Sequence, residues 1–450
     1  MKKRLTRRKF IATTATASAA LLAAPYIRGA HAAGKLSVGF WDHWVPGAND
    51  TLTKLCHEWA EKEKVDIKID YITSQGDKLR LTAAAEQQAR SGHDLMQFNA
   101  WDPLDKADSL VELDDLMKTA EAENGPASSA VEYLGKSKGH WVGVPATTGS
   151  QVKPPAGRIS MLKEWAGLDV VKMYPGPGGG APDKAMTDAW TWDAFLKAAE
   201  ACHKNGKPFG LGLGQTTDSV DWVGAVFTAY GADLVNAKGE ITVKSDQVKQ
   251  VLEWFQKLVP VLPKDTFAYD DASNNKALIS GNAALIMNPP SAWSVAKRDN
   301  PKVAEDTWHF QSPKGPKGRF DPGLPFLWGI WNFSSNQSAA KSLLAHLLKR
   351  SSIEQCVAAS IGYDLPAFAK CNDFKTWAEV EPPKGTVFNY PPKYGTVVSI
   401  AAAPAPAKIA NQIYTQATQN KMIAKCTTEG QTIAQAIDWA SNELEGFMRT

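Results

Sequence analysis

Lys35-Leu-Ser-Val-Gly-Phe40, Asp66-Ile-Lys-Ile-Asp-Tyr71 and Asp94-Leu-Met-Gln-Phe-Asn99 are three short runs of strand character, and what separates them decides the fold. The second run alternates, with Ile67, Ile69 and Tyr71 on one side. Between the first two, Asn49–Lys64 sets Leu52, Leu55, Cys56 and Trp59 on one face of a helix. Between the second and third, Asp77–Ser91 is rich in Ala and Gln and also reads as helix. A β-α-β-α-β order with short connections builds a parallel sheet covered by helices. The right-handed crossover rule then fixes which face each helix covers.

In such sheets, ligands bind outside the carboxyl ends of the strands. Here those ends run into Trp41-Asp42-His43-Trp44, Thr73-Ser74-Gln75-Gly76 and Asn99-Ala100-Trp101-Asp102. Three separate loops thus bring Trp, Asp, His, Gln and Asn to one edge. No one loop decides the matter, but their convergence points to a ligand site.

Further along, Leu110–Ala122 reads as helix, and Gly139-His-Trp-Val-Gly-Val-Pro145 as a hairpin or crossover leading to a second domain. Pro175–Gly180 is an exposed loop, because no Lys-Ser/Thr follows to make it a phosphate cradle. Thr191 is placed to cap a helix over Ala194–Asn205. Pro208–Gly214 reads as strand. Its Gly210-x-Gly212-x-Gly214 has the wrong spacing for a dinucleotide fingerprint, and Thr-Thr-Asp after it is no clear helix start. Gln247–Val259, Ser338–Ser351 and Thr432–Met448 carry helical stripes. Ala283–Met287 reads as a buried strand that Pro289-Pro290 stops in a stiff loop, and Trp328–Phe333 as another strand. No internal repeat is visible.

At 450 residues, 44% apolar and 22% charged, the chain suits a globular protein of two or three domains. Five Cys are too few for a disulfide scaffold, and buried inert thiols are the expected role for Cys56, Cys202, Cys356, Cys371 and Cys426. The first 32 residues carry seven basic groups and no acidic one, more than the whole chain's net +3. The remainder is therefore mildly acidic, which excludes a strongly basic nucleic-acid binder. That leader joins a charged segment, a weakly apolar Ile11–Ala24 and a small-x-small Ala30-His31-Ala32. Arg7-Arg8-Lys9-Phe10-Ile11 fits twin-arginine export with cleavage near Ala32, the alternative being a general secretory signal that holds two arginines. No Cys lies at the cleavage point, so a freely diffusing periplasmic protein is expected rather than a lipid-anchored one.

Chemical motifs are mostly missing. There is no HExxH, no zinc-spaced Cys pair and no Gly-x-Ser-x-Gly elbow. The sequence therefore predicts no catalytic residues, no metal and no cofactor. What stands out is 16 Trp. An indole offers a flat π-face and one N–H donor. A pyranose stacks on such a face and needs in-plane donors and acceptors around its rim. Trp59, Trp165, Trp254 and Trp439 lie in helical patterns and Trp192 near a helix start, so these are assigned to the core. Trp41, Trp44, Trp101, Trp222 and Trp293 lie at loop ends and are candidates for a cleft.

The order of pieces resembles family 1 extracellular solute-binding proteins of ABC importers, the maltose- and multiple-sugar-binding type. The resemblance spans about residues 35–450. It rests on Ala89-Arg-Ser-Gly-His-Asp-Leu95, Gly139–Pro145, Thr191-Trp-Asp-Ala-Phe195, Leu278-Ile-Ser-Gly-Asn-Ala-Ala-Leu285 and Ala359-Ser-Ile-Gly-Tyr-Asp-Leu-Pro-Ala367, in the family's order. It implies an α/β fold of two lobes, each a mostly parallel sheet flanked by helices, joined by hinge strands that close on one small ligand. By family order, lobe one is 34–146 plus 329–372 and lobe two 147–328 plus 373–450. The resemblance implies as partners a small molecule of the sugar class and an inner-membrane ABC permease, with the protein itself a monomer that binds no nucleic acid. The ligand-binding candidates are Trp41, Asp42, His43, Trp44, Gln75, Asn99, Trp101, Asp102, Trp222, Asn288, Ser291, Trp293, Trp328, Tyr363 and Tyr394. Ser291 stands where the family has a stacking Trp. Lys153-Pro-Pro-Ala-Gly-Arg158 replaces an aromatic-Asn pair, so the ligand is expected to differ from common maltodextrins. The other readings are the same fold holding a polyamine, glycerophosphodiester or other metabolite, and a periplasmic sugar-active enzyme.

Overall fold

A computed structural model describes residues 34–449, so the leader and its cleavage point lie outside the described residues. The opening unit forms as its periodicity requires. It runs β1 (Lys35–Trp41), α1 (Ala48–Glu63), β2 (Asp66–Ile72), α2 (Lys78–Ala89) and β3 (Leu95–Asn99). Leu52, Leu55, Cys56 and Trp59 of α1 are all buried, which is the stripe the spacing implied. β1 pairs in parallel with both β2 and β3. The chain returns much later to add Phe326–Ile330 antiparallel to β3, and Val144–Pro145 closes the far edge.

A second, smaller sheet joins Thr307–His309, Pro155–Arg158 and Leu285–Met287. Here the expectation of a mostly parallel sheet is corrected, because both pairings are antiparallel. The segment Pro208–Gly214 is not a named strand. It keeps two ladder bonds with the sheet, Ala284 N–H to Pro208 O and Gly210 N–H to Leu285 O. Three glycines in seven residues weaken a strand, since they add backbone entropy and no packing. Between the two sheets, Gln151–Val152 pairs antiparallel with Gly318–Leu324, which also pairs in parallel with Thr396–Ser399. The chain passes from the first sheet to the second through Gln151–Val152 and back through Gly318–Leu324.

Helix starts follow side-chain capping. Thr191 accepts from the Ala194 N–H and opens Trp192–Lys204, as its position predicted. Thr432 and Gln435 form a reciprocal capping box before Ile433–Phe447. Thr216 accepts from the Ser219 N–H and opens Thr217–Tyr230, so Thr-Thr-Asp is a helix start after all. The helix after Pro289-Pro290 begins at Ser291 rather than after a loop. Proline suits the entry to a helix, where its missing N–H would have no partner. The predicted helix over Leu110–Ala122 forms at Asp114–Asn124, and that over Ser338–Ser351 divides into Gln337–Leu347 and Arg350–Ala359.

All five cysteines are buried and free. Burial pushes the thiols up, to about 12 for Cys202 and about 11 for Cys426, so little reactive thiolate forms at neutral pH. Among the described residues, no helix is long and apolar enough to cross a membrane.

Candidate functional site

The exits of β1, β2 and β3 meet the start of the helix Thr217–Tyr230 and the turn after Leu285–Met287 across a cleft. Two adjoining cavities occupy it. One lies against Trp41, Trp44, Gln151, Asn288, Ser291 and Tyr363. The other, of about 270 Å³, lies against Ser74, Gln75, Arg80, Thr216, Asp270 and Tyr414. Ser74, Asn99, Thr217 and Asp271 border both. The walls therefore come from both sheets.

The aromatic end is held rigidly. Trp41 is 1% exposed and stacks with Tyr363 at 6.1 Å between centroids. Its backbone N–H donates to Gln97 Oε1, while its indole N–H has no partner in the protein. The Tyr363 hydroxyl donates to Gln151 Oε1 at 2.6 Å. Behind them sits His43. Its Nδ1 accepts from the Val45 N–H at 2.9 Å, so the ring proton is on Nε2, which donates to Asp364 Oδ1 at 3.1 Å. Asp364 also accepts from the Gly149 N–H. His43 packs against both Trp41 and Tyr363 and fixes their tilt. Across the cleft, Asn288 Nδ2 donates to Asn275 Oδ1 at 2.7 Å and to Ser291 Oγ at 3.0 Å. This small network presents amides and a hydroxyl in defined directions.

Beneath the floor lies a buried charge cluster. Lys153 Nζ is 2.8 Å from Asp218 Oδ1 and 2.6 Å from Asp221 Oδ2. Burial works against the lysine's charge, but the two carboxylates outweigh it and raise its pKa. Burial pushes Asp221 up to about 6 against the pull of Lys153. Asp271, next to Asp218, is raised by burial and then by Asp218's charge.

Of the candidate residues, Trp41, Trp44, Gln75, Asn99, Asn288, Ser291 and Tyr363 border these cavities. The others do not, and each has a physical reason. Asp42 faces solvent and accepts from Asn49. His43 stands behind the aromatic wall, as above. Trp101 is buried against Tyr133 and donates its indole N–H to Ala401 O. Asp102 is buried and ion-paired to Lys106 at 3.2 Å. Trp222 packs on Phe255 and donates to Gly212 O, filling space that the Gly run leaves behind the cleft. Trp293 donates to Pro382 O and faces His309. Trp328 is core, packed on Phe40. Tyr394 is about half exposed near Tyr174. Sequence reasoning missed Gln151, Asp218, Asp271 and Asn275. Thr216-Thr217-Asp218, a capping signature after a Gly-rich run, was the available signal.

A profile described as "bacterial extracellular solute-binding protein" matches residues 54–382. The chain belongs to that family. It is thus a periplasmic binding component that works with an ABC membrane permease, and not an enzyme. Among curated proteins, none matches the sequence. Solved structures share the two-lobed fold of this binding protein. Maltose-bound T. maritima MalE3 has a TM-score of 0.72 at 17% identity, covering 91% of this chain and 99% of that one. A solute-binding protein of Thermotoga lettingae bound with α-D-tagatose has a TM-score of 0.71 at 18% identity, covering 92% and 99%. One from Agrobacterium vitis with bound D-mannitol has a TM-score of 0.65 at 18% identity, covering 92% and 98%.

Proposed function

We propose that the solute is a carbohydrate or polyol, held in the cleft between the lobes and delivered to the permease. The observation that carries this reading is the join between a flat aromatic floor and a ring of fixed polar groups. Trp44 supplies an open face for C–H stacking, backed by the buried Trp41 and Tyr363, while Asn99, Asn275, Asn288 and Ser291 supply donors and acceptors. The sugars and polyols named in the related structures point the same way. Closure about the crossing strands brings the polar ring of the second lobe onto the floor of the first.

The division into 34–146 plus 329–372 and 147–328 plus 373–450 is proposed on the same basis, with its later boundary moved to about residue 325. Val144–Pro145 supports the first boundary, and the strand Phe326–Ile330 pairs whole with β3 of the first sheet, so Phe326–Trp328 go with lobe one. Arg7-Arg8-Lys9-Phe10-Ile11 supports export by the twin-arginine route. Export that survives replacing Arg7 and Arg8 together by lysine would assign the chain to the general secretory route instead.

The test of the ligand class is a thermal-shift screen of mature protein against mono- and oligosaccharides, polyols and polyamines. A true ligand at 100 times its Kd adds about 2.7 kcal/mol of stability. Stabilisation by a polyamine and by no sugar or polyol would reject the reading. With the ligand in hand, Trp44→Ala is expected to weaken binding by about 1–3 kcal/mol, roughly 5- to 150-fold, by calorimetry. Trp44 is only partly buried, so the melting temperature should move little. Trp101→Ala should do the reverse, lowering stability through its lost contacts with Tyr133 and Ala401.

A further inference from the structure

The charges around the cleft do not balance. Asp218, Asp221 and Asp271 share one lysine, and Lys153 spends its contacts on the first two. Asp271 accepts from neutral donors, among them the Asp218 N–H at 3.2 Å and the Thr217 hydroxyl at 3.4 Å, and feels Lys153 only through space. No cation makes an ion pair with it among the described residues. The other cation on the cavity wall, Arg80, is bound to its own neighbour Asp77. The cavity that Asp271 borders is about 270 Å³, some nine times the ~30 Å³ share of one water molecule. One further buried atom at this place lacks a partner, the Trp41 indole N–H on the wall.

A partly buried carboxylate that shares one distant lysine with two other carboxylates is under-compensated, and it is relieved by a proton or by a cation. A neutral hydroxyl compensates only in part. We propose that the captured solute carries a basic nitrogen, an ammonium on a polyhydroxylated frame such as an amino sugar or aminopolyol, seated on Asp271. This rests on the sugar or polyol reading above and narrows it. The aromatic floor takes the C–H face of the frame, the Asn288–Asn275 side meets its hydroxyls, and the ammonium lies toward the acidic start of the helix Thr217–Tyr230. The upward pKa shift of Asp271 in the ligand-free protein, caused by burial and then by Asp218, is the electrostatic strain that such a cation removes.

The test uses matched series measured by calorimetry at neutral pH and low salt. The series are glucosamine, N-acetylglucosamine and glucose, the corresponding galactose set, the β-1,4-linked disaccharides of each, and glucamine against sorbitol. In at least one series the amine is expected to bind tenfold or more tighter than both neutral members. Asp271→Asn should reduce that preference below threefold. The wild-type ratio needs no variant, so poor folding of the variant leaves the test intact. A neutral member binding as tightly as its amine, in the series bound best, overturns this inference and leaves the sugar reading standing. Binding of no member of any series overturns both.

Discussion

Replacing Lys153 with methionine is expected to cost about 3–5 kcal/mol of folding stability, the usual loss when one partner of a buried ion pair is removed. The lysine side chain is 0% exposed, as is nearly all of Asp221 at 1%. Lys153 lies between the crossing strand Gln151–Val152 and the sheet strand Pro155–Arg158. Its partners stand in the first turns of the helix Thr217–Tyr230. Without the ammonium, Asp221 keeps a charge that neither water nor protein compensates, or takes up a proton at a cost of its own. Against a total of ~5–15 kcal/mol, such a loss is a large fraction of what holds the fold. Asp218 suffers less, because it sits near a helix N-terminus and accepts from Asn274 Nδ2 at 3.0 Å. The double variant Lys153→Met with Asp221→Leu should therefore recover at least half of the loss, since apolar replacements of a whole buried pair are often tolerated. Urea denaturation of the three proteins measures this. A single-variant loss under about 1 kcal/mol would show that Lys153 is not the counter-charge of the cluster.

That cluster also shows where sequence reading stops. Lys153 and Asp221 are 68 positions apart, and no local pattern links them. Lys153-Pro-Pro was visible only as a departure from the family pattern. The first lobe was legible because α1 and α2 bury regular stripes and β1 to β3 are five to seven residues long. The second lobe was less so, because the strands of its own sheet have three or four residues and alternate too briefly to give a direction. Strand order points to the β1–β3 exits, where the two cavities lie, yet it could not tell which way an indole turns. Trp101 and Trp293 donate to backbone carbonyls of distant segments, Ala401 and Pro382, and Trp222 to Gly212, ten residues before it. Trp328 is core without any indole partner, and Trp41 lines the cavity without one. Which way each indole turns is set by packing between segments far apart in the chain, and no local pattern shows it.

His309 gives the second large effect, and its sign is set by burial. It ends the strand Thr307–His309, packed edge-on against Trp293 and Tyr390. Neither ring nitrogen has a partner, although its backbone N–H reaches Thr386 O. Burial lowers its pKa from 6.5 to about 3. Below about pH 6.5 the unfolded chain therefore binds a proton that the folded chain refuses. Above that pH proton binding adds no further cost, and stability drains away as pH falls from about 6.5 toward 3. At about 1.4 kcal/mol per pH unit, the loss reaches roughly 3 kcal/mol by pH 4. Asp221 and Asp321 act in the opposite direction. Burial raises both to about 6, so the folded state takes protons first and gains stability as pH falls from there toward the usual carboxylate range. The whole-protein curve mixes these terms, and comparison with His309→Leu separates them. The variant should be close to the wild type at pH 7.5 and about 3 kcal/mol less acid-sensitive between pH 7 and pH 4. Chemical denaturation across that range measures the difference, and parallel curves would mean that the folded protein admits a proton to His309 as readily as the unfolded chain does.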